Sequence, residues 1–251
     1  METIALDTLA ILVAVAALAG MIDAIAGGGG LLALPALLWA GLPPVQALAT
    51  NKLQGTFGTM TASFHFLRRG EITLAKMRIP ILMTFIGSAA GTLAVQRLGS
   101  ELLEDIVPVL LIAFALYFLF SPRIGDQDAH HRISHPMFGL LIGFSVGFYD
   151  GFFGPGTGSF FAVAFVMLLG YNLRRATAGT KILNFTSNVA SLLFFAAGGH
   201  VVWHVGLAMG MAQIAGAWVG SHLVISHGTR LIRPLLVIVS LAISIKLLLG
   251  D

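Results

Sequence analysis

Apolar residues fill this chain in ten runs separated by short polar gaps. The runs fall at 4–20, 31–41, 45–67, 78–97 and 104–120, and then at 137–149, 159–170, 180–197, 202–225 and 231–248. A helix that crosses the hydrocarbon of a membrane needs about 20 residues. The runs 31–41, 137–149 and 159–170 are too short to cross alone, and their place in the pattern predicts arms of re-entrant or short-helix hairpins. The ten-residue alternation of outer-membrane strands is absent. The pattern predicts an all-α polytopic membrane protein.

Two glycine-rich breaks, each just after a lone aspartate, interrupt this pattern. The first is Asp23-Ala-Ile-Ala-Gly27-Gly28-Gly29-Gly30, and the second is Asp150-Gly-Phe-Phe-Gly154-Pro155-Gly156-Thr157-Gly158. Glycine and proline are the costliest residues inside a helix, so both places should be unwound backbone. Four consecutive glycines exceed what close helix packing asks for, which is a small residue every fourth position. The pairs Gly87-x3-Gly91 and Gly216-x3-Gly220 fit that packing role.

The halves on either side of the 121–135 gap repeat one another. An offset of 129 matches Gly41 to Gly170, Lys52 to Lys181, Phe66 to Phe195, Gly87 to Gly216 and Gly91 to Gly220. Asp23 and Asp150 differ by 127, so the second half gains two residues near its glycine loop. The expected organisation is a first transmembrane repeat at 1–120, a polar cytoplasmic linker at 121–135 and a second repeat at 136–251. Each repeat would hold one glycine-broken hairpin and three transmembrane helices.

Loop charge then sets orientation, because cytoplasmic loops concentrate Lys and Arg. Arg68, Arg69, Lys76 and Arg78 lie at 68–78, whereas the counterpart loop 197–207 has no Lys or Arg. Arg174 and Arg175 lie at 171–175, whereas 41–46 has none. Matching loops therefore face opposite sides, as in two inverted repeats. Arg123, Arg132, Arg230 and Arg233 fall inside, Glu101, Glu104 and Asp105 fall outside, and both termini are expected outside.

Composition narrows the function class. Hydrophobic residues make up 57% and charged residues 10% of 251, against about 25% charged in a soluble domain. The net charge of +3 sits in loops, so it speaks to membrane orientation and not to nucleic acid. With no cysteine, disulfides and thiol chemistry are excluded. The start of the chain carries Glu2 and Asp7 and no basic residue, unlike the n-region of a cleaved signal, so the segment is expected to be mature.

Polar residues at membrane depth are the candidate chemistry. Lys52 lies beside Asn51 and Gln54, and Lys181 beside Thr180 and Asn184, with Asn188 one turn further. A lysine in hydrocarbon needs a partner or water, at about 2.5–3.5 kcal/mol. It can snorkel to a nearby segment end or serve a site, and its recurrence beside amides and hydroxyls favours the site. Helices starting after the breaks would aim free N–H groups one way and attract anions. The expected binding set is Gly28, Gly29, Gly30, Asn51, Lys52, Gln54, Gly156, Thr157, Gly158, Thr180, Lys181 and Asn184. Asp23 and Asp150 could cap the breaks, pair with the lysines or carry protons. His65, His200, His204 and His222 read as interfacial, and His130, His131 and His135 as a solvated loop, so no metal site is expected. No Gly-Lys-Ser/Thr follows the glycines, no strand supports a dinucleotide loop, and no nucleophile–base pair stands out. Neither cofactor nor enzymatic activity is expected.

At these residues the chain resembles the sulfite exporter TauE/SafE family of membrane permeases. The resemblance rests on Asp23-Ala-Ile-Ala-Gly-Gly-Gly-Gly-Leu, Ala49-Thr50-Asn51-Lys52, Arg68-Arg69-Gly70-Glu71-Ile72, Gly151-Phe-Phe-Gly-Pro-Gly-Thr-Gly and Gly179-Thr180-Lys181, and it covers nearly the whole chain. It implies a bacterial inner-membrane permease with duplicated halves that moves small sulfur-containing or organic anions such as sulfite, sulfonates or sulfoacetate. The expected function is a secondary transporter working by alternating access, driven by protons or membrane potential. An anion channel using the same site is the alternative. The expected partners are a small anion and membrane lipid, not nucleic acid, and a homo-oligomer is compatible with this reading.

Overall fold

The computed structural model describes residues 4–98, 100–120 and 130–223, and among them there is no strand. The helices are α1 (Leu6–Ala26), α2 (Gly30–Trp39), α3 (Pro44–Arg68), α4 (Leu74–Val95), α5 (Ser100–Phe120), α6 (His135–Phe138), α7 (Phe144–Phe152), α8 (Thr157–Leu169), α9 (Leu173–Ala197) and α10 (Trp203–Leu223). A π-helical segment, Gly139–Gly143, joins α6 to α7. The apolar run 231–248, Arg123, Arg230 and Arg233 lie outside the described residues.

Local chemistry explains the boundaries. α1 runs through Asp23 and stops at Gly27, whose left-handed backbone (φ 76°) lets its N–H reach the Asp23 carbonyl at 2.8 Å. α2 starts at Gly30, so the first break is only a few residues long. α9 starts seven residues before its apolar run, because Asn172 caps it by accepting from the Arg175 N–H at 3.0 Å. α6 begins at His135, with the Ser134 hydroxyl accepting the Met137 N–H.

The 129-residue offset reappears in the helices. α3 and α9 each have 25 residues, beginning at Pro44 and Leu173 and ending at Arg68 and Ala197. The extra length of the second half falls mainly in α8, with 13 residues against 10 in α2, and less in the glycine loop itself. At 1.5 Å per residue α2 spans about 15 Å and α8 about 20 Å, well short of a crossing.

Packing crosses between the halves. α1 lies along α10, and α7 lies along α4. Gly216 and Gly220 admit the backbone of α1 at Ala17 and Met21, and Gly87 and Gly91 admit that of α7 at Phe144 and Phe148. A methyl group at any of these four would strike backbone, the close approach that small residues every fourth position permit. α3 packs on α9 at the centre. They run in opposite senses. Arg174 at the start of α9 meets Glu71 just past the end of α3 at 3.5 Å, and Val202 beyond the end of α9 donates to the Thr50 hydroxyl near the start of α3 at 3.2 Å.

Polarity is turned inside out relative to a soluble protein. On α4, Ile79, Leu82, Ile86 and Leu93 face outward, while Thr84, Ser88 and Thr92 are fully buried. Leu6–Ile25 and Leu74–Val95 are long and apolar enough to cross a membrane. An apolar exterior around a polar interior suits hydrocarbon as the surrounding solvent.

Candidate functional site

The two breaks meet. A Cβ on Gly27 would lie 2.6 Å from the Gly158 Cα, and one on Gly30 would lie 3.3 Å from the Pro155 Cα. Neither α2 nor α8 carries a side-chain cap. The N-terminal ends of both helices line one cavity, whose wall includes Gly29, Gly30, Gly156, Thr157 and Gly158. In their first turns the N–H groups of Leu31, Leu32, Thr157 and Ser159 already bond to carbonyls of the breaks, and those of Gly30 and Gly158 have no such bond among the described residues. The hydroxyl of Tyr149 ties the second break by donating to the Pro155 carbonyl.

The lysines reach this centre from α3 and α9, each as the ninth residue of its helix. They do not snorkel: Lys52 is 2% exposed and Lys181 1%. Nor are they free cations, for each meets the aspartate of the other half. Lys52 Nζ lies 2.9 Å from Asp150 Oδ1, and Lys181 Nζ lies 3.0 Å from Asp23 Oδ2 while also donating to the Asp23 carbonyl. The Asp150 carboxylate further accepts from the hydroxyls of Thr157, at 2.8 Å, and Ser187.

Amides complete the wall. Gln54 Nε2 donates to Asn51 Oδ1 at 2.9 Å, and Asn188 Nδ2 donates to Thr59 Oγ1 at 3.3 Å. The buried oxygens Gln54 Oε1, Asn184 Oδ1, Gln213 Oε1 and Thr180 Oγ1 meet no hydrogen-bond partner among the described residues. Buried polar atoms are nearly always paired. These orphans ask for water or a ligand, and a rotated amide can offer either N–H or oxygen to it. The cavity that Gln54, Asn184 and Gln213 line is about 40 Å³. One water needs about 10–15 Å³ of such space, so the site is sized for a few waters or one small ion.

Of the residues singled out in the sequence, Gly29, Gly30, Asn51, Lys52, Gln54, Gly156, Thr157, Gly158 and Asn184 line the cavity together with Asp23 and Asp150. Gly28, Thr180 and Lys181 are not on its wall: Gly28 turns its carbonyl to the Leu31 N–H, and Lys181 stands behind Asp23. Gly27, Gly55, Thr59, Gly154, Asn188 and Gln213 complete the wall. Gln213 was detectable only as the one amide side chain in the run 202–225. Neither aspartate side chain accepts a backbone N–H among the hydrogen bonds of the described residues; both pair with lysine.

Electrostatics follow from this count. Two lysines and two aspartates cancel, and at each break a helix N-terminus with roughly half a positive charge (α2, α8) stands beside a helix C-terminus with roughly half a negative one (α1, α7). Any attraction for an anion is therefore local to the N–H groups at the starts of α2 and α8. At the basic end of the bundle His135 pairs with the Tyr171 hydroxyl at 2.7 Å. Among the described residues no group of three His, Cys, Asp or Glu is placed to hold a metal.

Comparison with known proteins places this architecture. The profile of the family described as "Sulfite exporter TauE/SafE" matches residues 12–247. The chain is 51% identical over 240 residues to the "Probable membrane transporter protein YfcA" of Escherichia coli strain K12, covering 96% of this chain and 89% of that protein. It is 48% identical over 244 residues to a "Probable membrane transporter protein" of Haemophilus influenzae, covering 97% and 96%. A third relative, "Probable membrane transporter protein ORF9" of a Sinorhizobium species, is 48% identical over 248 residues, covering 99% and 95%. No solved structure matches the chain.

Proposed function

We propose, since this chain belongs to the sulfite exporter TauE/SafE family of membrane transporters, that it carries a small sulfur-containing or organic anion, such as sulfite or a sulfonate, across the bacterial inner membrane. The observation that carries this reading is the convergence of two uncapped helix N-termini on one cavity whose side-chain charges cancel. Such ends bind anions through aimed N–H groups and dipole, and broken helices at a repeat interface are the usual place for a transported substrate. Backbone at Gly29, Gly30 and Gly156–Gly158 would hold the anion, with Asn51, Gln54, Thr157 and Asn184 bonding its oxygens.

The mechanism is alternating access between two inverted halves, driven by the proton gradient or membrane potential. Support comes from the opposed senses of α3 and α9 and from the two ion pairs, each of which bridges the halves. The basic residues on one end of the bundle support a cytoplasmic position for that end, with both termini outside. A fusion reporter active only in the cytoplasm, attached after Asp251, stays silent in this arrangement; a strong signal would overturn it.

Vesicles reconstituted with the purified protein test the transport reading. Unlabelled sulfite or a sulfonate inside accelerates uptake of the labelled anion from outside, because a carrier returns faster loaded than empty. Anion flux without such exchange, accompanied by electrical current, would favour the channel reading. Absence of flux for sulfite, sulfonates and carboxylates alike would remove the anion site.

A further inference from the structure

The two ion pairs are alike in position and unlike in support. Asp150 is 4% exposed, and its two oxygens accept from Lys52, Thr157 and Ser187. Behind Ser187 stands Ser88 at 3.0 Å, and behind that Ser191 at 2.7 Å, all fully buried. Among the described residues Asp23 accepts from Lys181 alone, on Oδ2, and its side chain is 14% exposed beside the cavity. At offsets of 129 for the helix residues and 127 for the break, the places of Ser187, Ser88, Ser191 and Thr157 are held by Gly58, Ala217, Ala62 and Gly30. Every hydroxyl that braces Asp150 is missing around Asp23.

We propose that Asp23 alone takes the coupling proton, and that Lys52–Asp150 stays closed as a fixed latch. The inference rests on the anion-transport reading above. A proton from cavity water bonds to Asp23 Oδ1, the oxygen that Lys181 leaves unoccupied. The carboxylate loses its charge while Lys181 keeps its own, so the centre gains one positive charge as the anion enters. One proton then travels with one monovalent anion. At Asp150 the hydrogen bonds donated by Lys52, Thr157 and Ser187 hold the carboxylate in its charged form, and a proton there would weaken all three. The charged groups facing Asp23 are Lys181 from α9 and, across the cavity, Lys52 from α3 and Asp150 from α7. Among the described residues α2, α8 and α10 contribute Gly30, Thr157, Gly158 and Gln213 to the wall, none of them charged.

Infrared difference spectra of the purified protein in lipid vesicles, recorded from alkaline to acidic pH without added anion, read the carboxyls directly. The spectrum of the variant is subtracted from that of the wild type, so exposed carboxylates cancel. Asp23→Asn removes one protonated-carboxyl band, and Asp150→Asn removes none. The double variant Thr157→Val, Ser187→Ala strips the latch and gains a second buried band, doubling the band area. The proposal is overturned if the band persists in Asp23→Asn, if it is lost in Asp150→Asn, or if the double variant matches the wild type. The double variant keeps the test decisive should Asp150→Asn fail to fold. A missing Asp23 band beside intact sulfite exchange overturns this inference alone. An intact band without exchange of any anion tested overturns the transport reading instead.

Discussion

Lys52→Ala abolishes anion exchange in reconstituted vesicles and destabilises the protein by about 3–5 kcal/mol, the range for removing one partner of a buried ion pair. The size follows from burial: Lys52 is 2% exposed, and its loss strands Asp150 at 4% exposure. The hydroxyls of Thr157 and Ser187 then carry the carboxylate alone. Removing both charges separates folding from function. Lys52→Met with Asp150→Leu returns most of the stability, because an apolar pair of similar volume often replaces a buried ion pair without loss. It does not return exchange, because the bridge between the halves is gone. Thermal or denaturant unfolding of the single and double variants, beside vesicle flux, reads both quantities. Exchange restored in the double variant would show that the pair only holds the fold.

Gly27→Ala loses exchange and destabilises more than the same change at Gly41. Both glycines have left-handed backbone, at φ 76° and 86°, where a Cβ costs about 1–2 kcal/mol. Gly41 has open space around it, whereas the Gly27 methyl would lie 2.6 Å from the Gly158 Cα and 2.7 Å from the Gly158 carbonyl carbon. Neither atom is the end of a flexible side chain, so the two breaks must separate. Overpacking of this kind adds about 1–3 kcal/mol. The N-terminal ends of α2 and α8 then no longer share one cavity. Unfolding midpoints of the two variants supply the comparison, and equal losses at Gly27 and Gly41 would mean the breaks do not touch in solution.

Much of the architecture was legible in the order of residues, for local reasons. Hydropathy located α3 and α4 to within a few residues of their ends, and the start of α10 to within one. Glycine runs located both breaks, because the loss of helix propensity acts over one turn. Where a polar cap outweighed hydropathy, as Asn172 does for α9, the apolar run misplaced the start. The site was legible in part. Asn51, Lys52, Gln54, Thr157 and Asn184 line the cavity, while Gly28, Thr180 and Lys181 do not, because a position on a helix does not say which neighbour the side chain meets.

By itself, the sequence determined that this chain is helical and apolar without, that its helices are broken twice after an aspartate, and that lysines recur at one offset. Those properties depend on solvent transfer and on interactions within a few residues. Only the tertiary structure decided that each lysine pairs with the aspartate of the opposite half, and that hydroxyls brace one pair and not the other. Asp23 and Lys181 are 158 residues apart along the chain. Their contact is made by α1 packing against the second half, a long-range arrangement that no spacing of neighbouring residues encodes.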